Sequence, residues 1–558
     1  MFLTPTEQVR AYEAKGWWSG RTVDDMFREA KARSGEALAL VDPVNREQLD
    51  GRPPERLNWH DIDARIDTIC ANHYANGLRK DDIVLAQLPN TIDAVLLFLA
   101  CARMGLILSP VAMQYRGHEL AHVVSKVSPR AVVTVPQFAG HDHAAQAARL
   151  GPQVLLFDAD GEGLRATPDA AKLDETRAYI ASHPTAGGEV LTICWTSGTE
   201  SRPKGVPRDH NHWILNGEVV AEGTGMIDGD TLLNPFPLVN IGSIGGLVMP
   251  WLMLASKLVL HHPFDLGIFL RQIAEEKVSY TIAPPAVLTA LLKQPQLLDG
   301  FDISSLRAVA SGSAPLSPWL IEGWRDRGID VTNVFGSNEG AAWMSGATEV
   351  PDCADRARYF PRHGADGQDW PGSTVHKVVR TRLVDLSTGE DITEPGRPGE
   401  LRFTGATTFP KYWDAPELNE AAFDDRGWFR SGDLFEIAGD GPLSRFYRFV
   451  GRSKEIIVRG GVNVSPAELD DLLVGWPAIR EAATVGIPDE MLGERIAVAV
   501  VPAEGVSPSI DDLQAFLRSR DVAIFKWPER LVEIDKLPRN AMNKVVRSEL
   551  REIVLEKL

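Results

Sequence analysis

Short apolar runs that each stop at small or polar residues set the strongest limit on the fold. Residues 190–195, VLTICW, stop at TSGT; residues 278–282, VSYTI, stop at APP; residues 306–310, LRAVA, stop at SGSAP; and residues 331–334, VTNV, stop at FGSNEG. Runs of this length bounded by turn formers read as buried strands. In open α/β sheets ligands bind beyond the carboxyl ends of the strands, so these loops are expected to converge on one site.

The rest of the pattern fits that reading. Residues 61–78 and 91–104 have helical spacing, and residues 82–88, 106–111 and 131–135 read as strands between and after them. After residue 205, a helical stretch at 213–220 is followed by strands at 231–233 and 257–260. Strand and helix alternating at this spacing is the signature of a parallel α/β sheet. Residues 375–450 change character: HKVV at 376–379, RLVD at 382–385 and the STGE turn that follows predict hairpins and a small β unit. From Ser453 and Lys454 onward the chain reads as a compact α+β unit. The expected class is α/β, with a large N-terminal domain over residues 1–452, built of parallel and mixed sheets with helices plus the small β unit. A small C-terminal α+β domain over residues 453–558 follows.

A formal net charge of −18 over 558 residues argues against nucleic acid or an anionic membrane as the main partner, because the bulk surface repels both. Any anionic ligand must then meet a local basic site. Cys70, Cys101, Cys194 and Cys353 show no paired spacing, which predicts reduced structural thiols and a cytoplasmic setting. The first residues, MFLTPTE, lack the layout of a signal peptide. The most apolar stretch, 241–255, contains glycines and a proline and falls short of the roughly 18 residues that span a bilayer. It is expected in the core.

The loop TSGTESRPKG at 196–205 has a phosphate-binding composition. Hydroxyls at Thr196, Ser197 and Thr199 donate, Gly198 lets the backbone approach, and Lys204 brings a cation. It is not a GxxxxGK[ST] loop, which needs glycine before and a hydroxyl after the lysine. It closely resembles the [ST]-S-G-[ST]-T-G-x-P-K-G signature of the adenylate-forming superfamily, which includes acyl-CoA synthetases, luciferases and peptide-synthetase adenylation domains. Glu200 and Ser201 stand where that family usually has Thr-Gly.

Further motifs follow in the family's order and extend the resemblance over nearly the whole chain. Phe335-Gly336-Ser337-Asn338-Glu339 resembles [YF]-G-x-[ST]-E, which implies Phe335 near adenine and Glu339 on Mg²⁺. Ser311-Gly312-Ser313-Ala314-Pro315 resembles the small-residue loop beside the adenine plane and the acyl carboxylate. GWFRSGD at 427–433 resembles the motif whose aspartate, here Asp433, accepts the ribose hydroxyls; GRPGEL at 396–401 and FPKYW at 409–413 precede it in the family's order. GRSKEIIVRGGVNVSPAEL at 451–469 implies Arg452 on ATP, Lys454 at a hinge, and Gly460 and Gly461 at a CoA channel. LPRNAMNKVVR at 537–547 implies Lys544 as catalytic lysine, with Asn543 where glycine is usual.

Carried over residue by residue, the resemblance implies Lys544, Thr196 and Glu339 in catalysis. Thr196, Ser197, Gly198, Thr199, Lys204, Ser313, Ala314, Pro315, Phe335, Gly336, Ser337, Asn338, Asp433, Arg452 and Lys544 are implied around ATP or AMP, and Asn240, Gly242, Gly246, Gly312 and Gly340 around the acyl group. The C-terminal domain is implied to be mobile.

PLVNIG at 237–242 lies where many acyl-CoA synthetases carry an aromatic-histidine pair. Both residues are gone, and Gly242, Ser243, Gly245 and Gly246 follow, which favours a bulky cyclic, polycyclic or aromatic acid. The resemblance therefore implies an AMP-forming acid–CoA ligase using ATP, Mg²⁺ and coenzyme A. A stand-alone adenylating enzyme serving a carrier protein or second ligase is the alternative, and a non-catalytic adenylate-binding regulator the rival from another class. A homodimer is left open.

Overall fold

The computed structural model describes residues 1–157, 163–196, 203–312, 316–459, 462–489, 492–520, 522, 524–540 and 543–558. Among these, four sheets of four or more strands carry the architecture. The first has six strands, in the order Lys204–Asp209, Val190–Thr196, Ile107–Pro110, Ile83–Gln87, Ala131–Thr134 and Gln153–Leu156. All pairings are parallel except the edge, where Lys204–Asp209 runs antiparallel to Val190–Thr196. Six of the seven residues of Val190–Thr196 are buried, which is why a strand covered on both faces reads as one apolar run.

The second sheet has eight strands, with Tyr280–Ile282, Ala308–Gly312 and Asp330–Gly336 side by side and parallel near one edge. Ala342–Ser345 closes that edge antiparallel. The small-residue loops predicted from the sequence therefore leave neighbouring strands at the same end. Between the two sheets lies the helix Ile92–Met104, every residue of which is buried. One apolar cluster runs from that helix to Leu108 and Leu191 of the first sheet and to Leu232, Leu258 and Tyr280 of the second. Its only charged residues, Asp93 and Arg103, are buried in ion pairs, so the helix offers no solvent face and belongs in such a layer.

The stretch 241–255 is core, as its composition requires. It forms a π turn at Ile244–Val248 followed by the helix Met249–Leu254, and Val248 N–H donates to Ser243 O at 3.1 Å. Gly245 packs so closely on the helix His210–Gly223 that an added Cβ would lie 1.7 Å from Asn216 Oδ1. The wide turn carries that close approach.

The third sheet is five-stranded and antiparallel, with Phe429–Ile437 and Phe446–Arg452 adjacent. One expectation within it fails: residues 376–379 do not begin a strand. Thr374–Val378 is a helical turn and the strand starts at Val379. Val375 and Val378 are buried while Lys377 is exposed, so burial follows a three-residue spacing that a strand would split between two faces. The fourth sheet, with Ile457–Arg459, Val462–Val464, Ile479–Asp489, Gly493–Pro502 and Arg530–Glu533, forms the small C-terminal α+β unit with the helices Pro466–Val474, Ile510–Ser519 and Arg547–Lys557. All four cysteines are buried free thiols. No helix among the described residues is long and apolar enough to cross a membrane.

Candidate active site

The strand Asp330–Gly336 delivers Phe335 and the loop that follows it. Phe335 is held edge-on by Phe435 at 5.1 Å between ring centroids. Ser337 N–H donates to Ala341 O and Gly340 N–H to Ser337 O, both at 3.0 Å, so the loop is a closed turn. Gly340 has φ +120°, and a Cβ there would sit 2.1 Å from Thr407 O. Only glycine lets this turn press against the 406–409 segment. There Phe409 N–H donates to Glu339 O at 2.9 Å, which fixes the Glu339 backbone.

The Glu339 carboxylate accepts a hydrogen bond from the Tyr412 hydroxyl at 2.9 Å. On the other side of that ring, Lys204 Nζ stands 5.2 Å from the centroid. Lys204 opens the edge strand and faces Thr196 across the antiparallel pair. The Lys204 ammonium and the Glu339 carboxylate are thus brought to the same tyrosine from different sheets. Burial and the Glu339 charge raise the Tyr412 pKa, so its proton stays on the donor.

Asp433 and Arg452 are partners across adjacent antiparallel strands, and Arg452 Nε lies 3.1 Å from Asp433 Oδ1. Asp433 is 4% exposed. Burial raises its pKa to about 6, Arg452 and Lys544 pull it down, and Glu339 pushes it up. Lys544 reaches this group from the C-terminal unit. It keeps solvent-exposed surface, yet the protein mass around it and the Arg452 charge lower its ammonium pKa, while Asp433, Glu339 and Glu455 oppose that shift. Asn543, just before it, has φ +61°, a conformation glycine adopts freely and asparagine tolerates. The turn is closed by Asn543 N–H to Asn540 O at 2.9 Å and Lys544 N–H to Asn540 Oδ1 at 3.0 Å.

Asn338 is buried and its Oδ1 accepts from Ile241 N–H at 2.8 Å. Asn240 Oδ1 accepts from Ser243 N–H at 3.1 Å, so the asparagine that replaces histidine caps the start of the π turn. An added Cβ at Gly242 would meet only Asn240 Oδ1 at 3.4 Å, and one at Gly246 only Ile282 Cδ1 at 3.0 Å and Ile241 O at 3.8 Å. At Gly312 it would collide with Val334 O at 2.1 Å. Gly312 and Gly340 are therefore demanded by backbone packing, Gly246 could take a Cβ only if the end of Ile282 gives way, and Gly242 leaves room for one.

The structure brings together Thr196, Lys204, Phe335, Gly336, Ser337, Asn338, Glu339, Asp433, Arg452 and Lys544 around the ends of three sheets and the C-terminal unit. Lys454 lies in the turn between the strands Phe446–Arg452 and Ile457–Arg459. Ser197, Gly198, Thr199, Ser313, Ala314, Pro315, Gly460 and Gly461 lie outside the described residues. Sequence reasoning passed over Tyr412, quoted above only for the order of its motif, and Arg208, whose burial no local pattern announces.

No group of three or more His, Cys, Asp and Glu side chains among the described residues could hold a metal ion. A single carboxylate is what Mg²⁺ needs when the nucleotide's phosphates supply other ligands, so Glu339 fits a metal that arrives with ATP.

An α/β fold whose strand ends gather Lys204, Glu339, the buried Asp433 with Arg452, and Lys544 from the C-terminal unit has the build of an adenylate-forming ligase. A family model described as AMP-binding enzyme matches residues 27–413, a second described as AMP-binding enzyme C-terminal domain matches residues 468–544, and the chain belongs to this family. It is 29% identical to an indoleacetate–CoA ligase of Aromatoleum aromaticum, over 91% of this chain and 95% of that protein. It is 28% identical to a medium-chain fatty-acid–CoA ligase of Escherichia coli, over 100% of this chain and 94% of that protein. Among solved structures, ATP-bound MatB from Rhodopseudomonas palustris superposes with a TM-score of 0.76 at 26% identity, covering 95% of this chain and 98% of that one. The protein is an AMP-forming acid–CoA ligase, with ATP and CoA as substrates.

Proposed function

We propose that this enzyme activates a bulky cyclic or aromatic carboxylic acid, first as the acyl-AMP and then as the CoA thioester. In the first step a carboxylate oxygen attacks the α-phosphorus and the bond to pyrophosphate breaks. In the second the CoA sulfur, having lost its proton, attacks the acyl carbon and AMP leaves. The observation that carries the reading is that Glu339, on the loop after Asp330–Gly336, and Lys544, from the C-terminal unit, both lie within electrostatic reach of the ion pair that Arg452 makes with the buried Asp433, which gathers charges from three segments far apart in the chain.

In this reading Asp433 accepts the ribose hydroxyls and Arg452 exchanges its ion pair for a contact to the nucleotide. Lys204 and Thr196 hold the outer phosphates, and Lys544 stabilises the charge that develops as pyrophosphate departs. Glu339 would hold Mg²⁺, which supplies charge neutralisation at the phosphates when bound. Phe335 lies beside adenine. The domain boundary falls at residues 452 and 453, and Lys454 is the hinge about which the small domain turns to bring Gly460 and Gly461 to the thioester channel. Asn240, Gly242 and Gly246 bound the acid, and the open space beside Gly242, with the flexible end of Ile282 facing Gly246, supports a wide ligand. Four buried thiols and a nucleotide-dependent reaction support a cytoplasmic setting.

The test is pyrophosphate release from Mg·ATP with benzoate, indole-3-acetate, 2-naphthoate, octanoate and palmitate, each with and without CoA. We expect the ring acids to have the higher kcat/KM, and thioester to form. Palmitate outcompeting every ring acid would overturn the pocket reading, and acyl-AMP without thioester would make a carrier protein the acceptor. Lys544→Ala is expected to lose acyl-AMP formation by at least 100-fold while still converting supplied acyl-AMP to thioester. Equal damage to both steps would remove Lys544 from its assigned role.

A further inference from the structure

Arg208 is a cation in the interior with no role in the chemistry just described. It sits on the edge strand Lys204–Asp209, four residues after Lys204, and is 0% exposed. Among the described residues it makes no ion pair within 4.0 Å; its guanidinium is spent on backbone carbonyls instead. Nη1 donates to Asn338 O at 2.8 Å, and Nη2 donates to His212 O and Thr407 O, each at 3.3 Å. The planar group stands over the Trp213 ring at 4.9 Å. Burial lowers its pKa to about 10, against the opposing charges of Asp209 and Glu339. A buried charge is expensive and is retained where it does something that a neutral residue cannot.

What it joins is specific. The carbonyl of Asn338 precedes Glu339, and the carbonyl of Thr407 lies two residues before Phe409, whose N–H holds Glu339 O. The neighbouring carbonyls of the 406–409 segment are held as well: Trp18 Nε1 donates to Ala406 O at 3.1 Å, and His212 Nε2 donates to Thr408 O at 3.0 Å. The Arg208 guanidinium donates to both loops. Because Asn338 also accepts from Ile241 N–H, the same group steadies the edge of the acid pocket.

We propose that Arg208 is a positioning residue for adenylation: by bridging the Asn338 and Thr407 carbonyls it fixes the Glu339 carboxylate for Mg·ATP. The inference rests on the reading of Glu339 given above. A guanidinium is needed because its fork presents donors in two directions at once, whereas an ammonium in the same place keeps the charge and loses the span.

The test uses the full-length enzyme as Arg208→Lys, Arg208→Met, Glu339→Gln and the Arg208→Lys/Glu339→Gln double variant. Mg·ATP binding and CoA binding are measured by calorimetry, with thermal unfolding alongside. Arg208→Lys keeps a testable folded protein should Arg208→Met fail to fold. We expect Arg208→Lys to weaken Mg·ATP binding about tenfold or more, to raise the half-saturating Mg²⁺ concentration, and to leave CoA binding within twofold. In the Glu339→Gln background the Arg208→Lys effect should shrink to within twofold, since groups that act through one another are not additive. Wild-type Mg·ATP binding in Arg208→Lys overturns the proposal, as does an undiminished loss in the double variant, or equal losses for Mg·ATP and CoA that track the melting temperature. A silent Glu339→Gln instead removes the carboxylate's own assignment, so the two failures are told apart.

Discussion

Burial and function pull Asp433 in opposite directions. In the proposed role at the ribose hydroxyls it must be an ionised acceptor, but a 4% exposed carboxylate is costly to ionise, and its pKa rises to about 6. Against an ordinary value of about 3.9 this is a shift of roughly two units, or about 3 kcal/mol. Because the folded state holds the proton more tightly than the unfolded chain, the stabilisation is complete below about pH 4 and is lost as pH rises through about 6. Asp433→Asn removes the titration. Urea unfolding should then show the variant gaining about 1–3 kcal/mol relative to wild type on going from pH 4 to pH 7.5, while ATP binding weakens at pH 7.5. The wild-type KM for ATP should rise as pH falls through about 6. A pH-independent stability difference between the two proteins would mean that the carboxyl titrates normally.

At the scale of elements, the π turn Ile244–Val248 has two glycines with separate duties. Gly245 faces Asn216 on the helix His210–Gly223, and the 1.7 Å clash that a methyl would make leaves the two segments no common solution without a shift. Gly246 faces the flexible end of Ile282 at 3.0 Å. Gly245→Ala should therefore cost about 1–3 kcal/mol of stability, as overpacked cores do, and leave the order of preference among acids unchanged. Gly246→Val should cost less and act on the substrate: kcat/KM for 2-naphthoate should fall at least tenfold relative to octanoate. Denaturation midpoints and competition kinetics on the two variants separate packing from specificity, and a reversal of the two outcomes would exchange the roles assigned here.

Across the whole molecule, the charges that surround the nucleotide site come from the phosphate-loop edge of the first sheet, the second sheet, the antiparallel sheet and the C-terminal unit. The connection between the last two is short. Ser453 N–H donates to Gly432 O at 2.9 Å, and Glu455 N–H and Ile456 N–H donate to Arg452 O at 3.0 and 3.1 Å, so the domain rotation proposed above would have to be absorbed by the backbone around Lys454. Proline fixes φ near −65°. Lys454→Pro is expected to keep acyl-AMP formation within about threefold and to slow thioester formation by tenfold or more, measured as single turnovers of each half-reaction. Equal rates for both half-reactions relative to wild type would place the hinge elsewhere.

Strands such as Val190–Thr196 were legible because burial on both faces makes them largely apolar, and the loops at their ends because small and polar residues cannot continue such a run. What the asparagine at 543 does in place of glycine became visible only in the structure, where it meets a positive φ. At 376–379 local alternation misled, because the burial of Val375 and Val378 depends on which neighbours cover them. The gathering of Lys204, Glu339, Asp433, Arg452 and Lys544 was implied by resemblance alone, since residues separated by hundreds of positions carry no local mark of proximity. Tyr412 between Lys204 and Glu339, the collisions that make glycine obligatory at 312 and 340, and the interior position of Arg208 depend on distances that exist only after the sheets have packed. Periodicity and turn chemistry act over a few residues and are written along the chain; the electrostatics of a buried charge is set by whatever the fold brings within a few ångströms, and that is decided in three dimensions.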